Sequence, residues 1–168
     1  SSAASDVYKR QSFTSIDNAR KNLAAEIPGW NFNEVRQASS DIWNQALGQI
    51  AVKGNNEKEM VKFYSALYNA HFLPRTFSDV DGSYPRFDGD GQIMKMDHGT
   101  YYCDFSQWDT YRAVHPLFSI LTPSRNGDMA HSLVLKGQQG GWLPIFPSWN
   151  SYTAAMIGDH CIAMIGDA

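Results

Sequence analysis

The sequence predicts a mainly α protein, and three observations lead to this prediction. Apolar residues recur every three to four positions before residue 74 and again after residue 106, as they do in amphipathic helices. Turn-forming Gly, Asp and Pro residues concentrate between these regions, at residues 75–102. The sequence has no internal repeat, as a solenoid would require, and no alternation of strand and helix patterns, as a parallel sheet would require. A chain of 168 residues, 43% of them hydrophobic, is sufficient for one domain.

Three helices are expected in the first part of the chain. The first spans about residues 15–25, with Ser15 or Asp17 as its cap and a Pro-Gly pair after its end. The second spans about residues 33–52. Its regular apolar stripe consists of Val35, Ala38, Ile42, Trp43, Ala46, Leu47 and Ile50. The third spans about residues 57–72, starts with two glutamates and ends before a proline.

Residues 75–102 are expected to form turns and a short β-hairpin. Strand-like pieces at residues 92–94 and 100–102 alternate with Asp-Gly turns. Four carboxylates in this segment resemble a calcium loop, but the Gly and Glu that an EF-hand requires are not in place. We interpret the four as solvated turn residues, and His98 as an isolated, solvated imidazole. The four are Asp79, Asp81, Asp88 and Asp90.

The central helix is predicted at residues 107–121. Ser106 and Asp109, three positions apart, form the pattern of a capping box at its start. Pro116 lies within the helix, and a proline removes one backbone donor and clashes with the carbonyl four residues earlier. We therefore expect a kink or a break near His115.

Two further helices are predicted after the central one. The first begins at Ser124 or Asn126 and ends near Gly137. Residues 140–144 are then a glycine-rich loop. The final helix follows the Trp149-Asn150 pair and carries Tyr152, Ala155, Met156, Asp159, His160 and Ala163.

The start of the central helix combines the residue types that bind a sugar. Trp108 offers a flat ring on which sugar C–H groups stack, and Asp109 and Arg112 offer charged partners for hydroxyl groups. The alternative is structural: Asp109 caps the helix and pairs with Arg112, while Trp108 belongs to the core. From the residues alone both interpretations stay open.

Charge and composition argue against several other classes of function. The formal net charge is −3 and there is no run of Lys or Arg, so no nucleic-acid partner is expected. No apolar run is long enough for a membrane span. Cys103 and Cys161 are too few and too distant to indicate a disulfide framework or a zinc site, and we expect them to be buried thiols.

Five ordered segments of the chain carry a family pattern. The most extensive is Phe105-Ser106-Gln107-Trp108-Asp109-Thr110-Tyr111-Arg112-Ala113 with His115-Pro116-Leu117. The others are Phe63-Tyr64-Ser65-Ala66-Leu67-Tyr68, Asp79-Val80-Asp81-Gly82-Ser83-Tyr84, Gly141-Trp142-Leu143-Pro144, and Trp149-Asn150-Ser151-Tyr152-Thr153 with Met156-Ile157-Gly158-Asp159-His160. In this order they resemble glycoside hydrolase family 92, the calcium-dependent, inverting exo-α-mannosidases. The resemblance extends from about residue 15 to residue 168.

The resemblance implies an architecture. Family 92 enzymes have an N-terminal β-sandwich domain packed on an (α/α)6 barrel, and the matched segments belong to the early part of that barrel. We therefore expect residues 12–168 to be part of an (α/α)6 barrel truncated at its C-terminus, with the hairpin of residues 75–102 inserted. The β-sandwich domain and the rest of the barrel are expected outside this chain. Residues 1–11 resemble a non-native, adapter-like lead.

The resemblance also implies a set of site residues. Helix ends at the mouth of such a barrel hold the sugar, so Trp108 and Asp109 are expected in the site for the terminal mannose. The family motifs add four substrate-binding candidates, which are Arg112, Trp149, Asp159 and His160. For Asp159 and His160 the alternative is a polar pair on a half-exposed helix face.

Catalysis is expected to depend on residues outside this chain. Inverting hydrolysis requires a carboxylic acid and a carboxylate on opposite faces of the sugar. In the family these groups and most calcium ligands lie in three later motifs: a Glu before Gly-Asn-Ala-Trp, a Gly-Asn-Glu-Pro segment and a Gly-Asn-Asp-Asp segment. None of these motifs occurs in this sequence. We therefore assign no catalytic residue and no metal ligand here, and expect calcium to be a cofactor of the parent enzyme.

The predicted function is that of a fragment of an α-mannosidase, inactive by itself, whose parent removes terminal α-linked mannose from mannose-containing glycans with inversion. The same resemblance implies a periplasmic or secreted location. Two alternatives stay open, a non-catalytic carbohydrate-binding helical module and a helical interaction domain.

Overall fold

Seven helices and six short strands occur in residues 11–168, the part of the chain that the computed structural model describes. The predicted lead at residues 1–11 lies outside the described residues, except for its last position. The helices are α1 (Ile16–Glu26), α2 (Phe32–Leu47), α3 (Glu57–Ala70), α4 (Gln107–Thr110), α5 (Val114–Leu121), α6 (Pro123–Gly140) and α7 (His160–Asp167). The strands are β1 (Arg75–Thr76), β2 (Ser83–Pro85), β3 (Ile93–Lys95), β4 (Tyr102–Cys103), β5 (Pro147–Ser148) and β6 (Ser151–Tyr152).

The chain divides into two compact units. Residues 27–73 form the smaller unit, and residues 11–26 with 74–168 belong to the larger one. In the smaller unit α2 and α3 pack through Trp43 and Tyr68, whose ring centroids are 4.3 Å apart. Asn31 and Asn56 accept backbone N–H groups at the starts of these helices. α2 ends before the predicted residue 52, because Gly48 follows its last turn as a cap.

The larger unit has two hydrophobic clusters. One packs α5, α6 and α7 together and consists of Tyr102, Phe105, Phe118, Met129, Leu133, Cys161 and Met164. The other belongs to the hairpin region and consists of Phe77, Tyr84, Met96, Tyr101 and Cys103. β4 contributes to both because successive strand residues point to opposite faces. Cys103 and Cys161 are free and buried, which confirms the prediction for both thiols.

The hairpin region forms where it is predicted, between residues 75 and 103. β1 pairs antiparallel with β4, and Arg75 lies opposite Cys103. β2 pairs antiparallel with β3, and Tyr84 lies opposite Met94. Because β1 pairs with β4, the segment closes on itself and returns the chain to the start of α4.

The central helix is divided into α4 and α5, as the position of Pro116 predicts. Residues 111–113 separate the two helices. α4 begins after Ser106 as expected, but the predicted capping box is not formed. The Ser106 hydroxyl makes no bond to the backbone and donates instead to the Asp109 carboxylate.

The prediction of the final helix is wrong over its first half. Residues 147–152 form the antiparallel hairpin β5–β6 instead. Trp149 and Asn150, at its turn, have φ of 52° and 60°, the geometry of a tight type I′ connection. Gly158 follows with φ of 99°, so α7 begins only at His160. Four residues predicted in the helix therefore precede it: Tyr152, Ala155, Met156 and Asp159.

α6 is longer than predicted. It begins at Pro123, because a proline is favoured in the first helical turn, and it continues past Gly137. Gly141 ends it with φ of 93°, a left-handed conformation that glycine adopts readily. Among the described helices, none combines the length and the apolar character that crossing a bilayer requires.

Candidate functional site

α4 places Trp108 and Asp109 at the protein surface. Trp108 is 39% exposed and Asp109 is also exposed, so neither is sealed in the core. The guanidinium of Arg112 lies 5.3 Å from the Trp108 ring centroid and 5.0 Å from that of Tyr111. Both distances are typical of cation–π contacts. Arg112 therefore packs on the two rings, while the Asp109 carboxylate accepts the Ser106 hydroxyl.

His160 joins this group from α7. Its ring stacks on Tyr111 with centroids 4.1 Å apart and planes 6° from parallel. Its Nε2 atom is buried and has no hydrogen-bond partner within the described part of the chain. Gly158 leaves room for this nitrogen, because a Cβ there would lie 2.6 Å from it. We call Trp108, Tyr111, Arg112 and His160 the Trp108 cluster.

Asp159 is exposed and directly precedes α7. It occupies the cap position, but its side chain makes no capping hydrogen bond. Because His160 turns toward Tyr111 and Asp159 lies outside the helix, the two do not form the polar pair on one helix face that was the alternative for them.

Trp149 lies in a second group, organised by the buried Asp104. One carboxylate oxygen of Asp104 accepts the Trp149 N–H at 2.9 Å and the Ser148 hydroxyl at 3.2 Å. The other accepts Arg75 Nε at 2.6 Å. The Arg75 guanidinium lies 5.2 Å from the Trp149 ring centroid, and the indole itself stays 70% exposed. We call Arg75, Asp104, Ser148 and Trp149 the Asp104 cluster.

The two clusters are connected through residues 104–112. Asp104 lies at one end of this segment, and Trp108 and Arg112 lie in its second half. Between them, Phe105 donates its N–H to the carbonyl of Pro147 in the β5–β6 hairpin at 3.2 Å. The five-residue stretch from Asp104 to Trp108 therefore joins the exposed indole of Trp108 to Asp104, whose carboxylate holds Trp149 in place. Exposed indoles and an exposed carboxylate are the groups with which a protein stacks on a sugar ring and binds its hydroxyls.

Lys136 contacts the chain just before this segment, at Tyr101 and Tyr102, from within the core. Its side chain is fully buried, and Nζ donates to the Tyr102 carbonyl at 2.7 Å and lies 3.6 Å from the Tyr101 ring centroid. Burial lowers the pKa of Lys136 to about 7, against the opposing effects of Cys103 and Asp104. No local spacing relates Arg75, Asp104 and Lys136, which lie far apart in the chain, so the sequence does not indicate that they form one group.

Asp79 is buried, so its interpretation as a solvated turn residue is wrong. Its carboxylate accepts Asn22 Nδ2 at 2.7 Å, Ser12 Oγ at 2.8 Å and Asn18 Nδ2 at 3.1 Å, together with the Thr14 hydroxyl. Burial raises the pKa of Asp79, but these hydrogen bonds outweigh burial and lower it. Asp79 thus connects α1 to the hairpin region, beside a cavity of about 710 Å³.

His98 is exposed but not isolated. Its ring stacks on His131 of α6, and Asp97 lies beside it. Within residues 11–168, these three form the one group of at least three His, Cys, Asp or Glu side chains that converges on a point. Calcium prefers roughly six to eight oxygen ligands, whereas this group offers one carboxylate and two imidazoles. The group therefore does not fit calcium.

The helical fold and the exposed indoles fit a carbohydrate-active enzyme, and comparison with known proteins identifies its class. The model of the glycosyl hydrolase family 92 catalytic domain matches residues 18–168. The chain belongs to this family.

Solved structures of family members match the fold. A family 92 α-mannosidase from Bacteroides thetaiotaomicron is 34% identical with a TM-score of 0.83, over 91% of this chain and 20% of that chain. A structure of that enzyme in complex with mannoimidazole gives the same values. An inverting family 92 mannosidase from Bacteroides thetaiotaomicron VPI-5482 is 28% identical with a TM-score of 0.83, over 92% of this chain and 21% of that chain.

A secreted relative matches in sequence. An uncharacterized secreted glycosidase from Arthroderma benhamiae is 34% identical over 105 residues, which cover 60% of this chain and 12% of the relative. The chain thus spans about a fifth of the solved relatives and less of the curated one. The predicted family is confirmed, as is the predicted fold class, a mainly α part of an (α/α)6 barrel.

Proposed function

We propose that the complete enzyme is an inverting α-mannosidase that removes terminal α-linked mannose from glycans, and that Trp108 and Asp109 form part of its site for the terminal mannose. The observation that carries this proposal is the exposure of both side chains at the start of α4, in a chain whose solved neighbours are α-mannosidases.

Trp108 is suited to stack on a sugar ring. Arg112 packs against the indole and fixes its orientation, while 39% of the residue stays accessible to a ligand. Asp109 is suited to bind hydroxyl groups, because an ionised carboxylate accepts several hydrogen bonds at once. The Ser106 hydroxyl occupies one oxygen of this carboxylate and orients it.

The other candidates have supporting roles in this proposal. Arg112 positions Trp108, and His160 positions Tyr111 by stacking on it. Asp159 is a second exposed carboxylate beside His160. Trp149 offers a further indole platform, which the Asp104 cluster holds in place. All four contribute to sugar binding rather than to bond cleavage.

Bond cleavage requires groups that we assign to the rest of the enzyme. An inverting glycosidase places an acid and a base about 6.5 to 9.5 Å apart, on opposite faces of the sugar. Calcium in the complete enzyme would provide positive charge near the sugar, but the Asp97, His98 and His131 group does not fit this ion. In this proposal the chain orients the terminal mannose.

A periplasmic or secreted location is part of the proposal, and the secreted relative supports it.

Proton NMR of α-mannobiose hydrolysis tests the proposal. With the complete enzyme and calcium, β-mannose is expected as the first product, and chelation of calcium is expected to stop turnover. The 168-residue chain alone is expected to release no mannose. α-Mannose as the first product, or turnover by this chain alone, would contradict the proposal. Mannoside binding without turnover by the complete protein would favour the alternative, a carbohydrate-binding helical module.

A further inference from the structure

The loop after β3 is held tightly against α6. The Thr100 N–H donates to Asp128 at 3.0 Å, and the Tyr102 N–H donates to Ser132 Oγ at 2.9 Å. Gly99 has φ of 70°, and a Cβ at this position would overlap the Asp128 carboxylate. The close approach therefore requires glycine. Asp128 and Ser132 lie on successive turns of α6, so these bonds fix the loop along the helix and bring His98 against His131 in its middle.

This contact brings two imidazoles and a carboxylate together. The rings of His98 and His131 are stacked, with centroids 5.0 Å apart and planes 10° from parallel. His98 Nδ1 lies 2.9 Å from a carboxylate oxygen of Asp97. One ligand atom from each of the three residues lies within 4.8 Å of the other two. His131 Nδ1 is buried and lacks a hydrogen-bond partner in the described part of the chain.

We propose that Asp97, His98 and His131 form a binding site for a divalent transition-metal ion, with Zn²⁺ as the ion that fits best. Two nitrogen donors and one oxygen donor are a common protein ligand set for Zn²⁺, which leaves its fourth position to water. Imidazole nitrogen also selects Zn²⁺ over calcium, which prefers oxygen ligands.

The site closes on the ion by rotation of His98 and Asp97, because the nearly parallel rings of His98 and His131 do not yet direct their in-plane nitrogen lone pairs at one point. Donor atoms about 2.0 to 2.1 Å from a tetrahedral ion lie roughly 3.3 Å from each other, somewhat closer than here. The side chains of His98 and Asp97 are 71% and 77% exposed and therefore have room to rotate. His131 stays fixed on α6 and provides the rigid donor.

The site is separate from the proposed mannose site. None of its three residues belongs to the Trp108 cluster or to the Asp104 cluster. Its role is structural: the ion joins the loop after β3 to α6, and this loop leads directly into the buried Tyr101 and Tyr102. Failure of this proposal would therefore leave the proposed mannosidase function untouched.

Isothermal titration of the 168-residue chain with zinc chloride tests the site. One Zn²⁺ is expected to bind per chain with micromolar affinity, and excess calcium chloride is expected not to compete. His98→Gln and His131→Gln are each expected to weaken binding at least tenfold, and Asp97→Asn by a smaller factor. His71→Gln removes an imidazole outside the cluster and is expected to bind Zn²⁺ unchanged.

Thermal unfolding provides a second measurement on the same proteins. Saturating Zn²⁺ is expected to raise the melting temperature of the unaltered chain and of His71→Gln, and not that of His98→Gln. Because His98 is exposed, its replacement is not expected to disturb folding. Binding weaker than about 1 mM in the unaltered chain, or unchanged affinity in His98→Gln, would overturn the proposal.

Discussion

The carboxylate of Asp104 both stabilises the fold and holds Trp149, a candidate site residue, in place. It is buried, has φ of 64°, and bonds Arg75, Ser148 and the backbone of Trp149. Aspartate and asparagine adopt this left-handed conformation more easily than other residues with a Cβ. The residue therefore satisfies the backbone geometry and the hydrogen-bond requirement together.

Asp104→Ala is expected to lower the free energy of unfolding by about 2 to 3 kcal/mol, because it removes charge-assisted hydrogen bonds and leaves alanine in a left-handed conformation. Asp104→Asn keeps the conformation and one acceptor oxygen, so a loss of about 1 kcal/mol is expected. Urea denaturation of both variants measures the difference. Equal losses in the two variants would contradict this account, because they would show that the acceptor oxygen and the left-handed preference kept by asparagine contribute nothing.

Lys136 is expected to make stability depend on pH. The pKa of a lysine is about 10.4 in an unfolded chain, and burial lowers that of Lys136 to about 7. Above pH 7 the unfolded chain therefore holds a proton that the folded chain lacks, so the free energy of unfolding rises with pH, by at most about 1.4 kcal/mol per pH unit. Burial also raises the pKa of Cys103 and of Cys161, which opposes this rise above about pH 8.5.

Melting temperatures between pH 7 and pH 8.5 test this expectation. His115 does not interfere in this range. Burial lowers its pKa, so His115 changes the free energy of unfolding only at pH values below the ordinary pKa of histidine. Lys136→Met keeps the volume and removes the charge, so the rise with pH should disappear. An identical pH dependence in Lys136→Met and the unaltered chain would refute the assignment to Lys136.

At the scale of single residues, the sequence was informative where the signal is local. Trp108 and Asp109 are adjacent and precede a helix, and both are exposed as a binding role requires. The sequence did not predict the roles of Asp104, Arg75 and Lys136, because their contacts join segments that are distant in the chain. Burial of Asp79 was missed for the same reason, since its partners come from α1.

Among the elements, the β5–β6 hairpin depends on Asn150 most directly. Its side chain accepts the Tyr101 hydroxyl at 2.7 Å and donates to the Pro85 carbonyl at 2.6 Å. Asn150→Ala leaves the buried hydroxyl unpaired and is expected to cost about 3 kcal/mol. Asn150→Gly also loses both hydrogen bonds but adopts the left-handed turn freely, so a loss smaller by about 1 kcal/mol is expected. Thermal unfolding compares the two, and a smaller effect of alanine than of glycine would contradict this account.

The helices were predictable to the extent that their signals lie within each segment. Cap residues and a following Pro-Gly pair identified α1, an apolar repeat identified α2 and α3, and Pro116 identified the break between α4 and α5. The final helix was predicted too early, because Tyr152, Ala155, Met156 and Asp159 recur at helical spacing although they precede His160, where α7 begins. The turn of the β5–β6 hairpin is stabilised by Tyr101 and Asp104, which lie outside that hairpin.

For the whole molecule, exposed apolar side chains predict self-association. Ile42 is 67% and Val61 is 59% exposed in the smaller unit, and Ile157 is 75% exposed in the larger one. Exposed apolar surface of this kind favours contact with other chains. The 168-residue chain is expected to associate increasingly with concentration, as light scattering can measure. Ile42→Gln with Val61→Gln should reduce association, while Lys62→Gln should not. A monodisperse monomer at all concentrations would contradict this expectation.

The kcat/KM of Asp109→Asn in the complete enzyme tests the proposed mannose site most directly. Loss of charge-assisted hydrogen bonds to the sugar is expected to lower kcat/KM on α-mannobiose by about 100-fold. The melting temperature should not change, because Asp109 is exposed. Asp17→Asn, which alters an exposed carboxylate on α1, should retain full activity. An unchanged kcat/KM in Asp109→Asn would show that this carboxylate does not bind mannose.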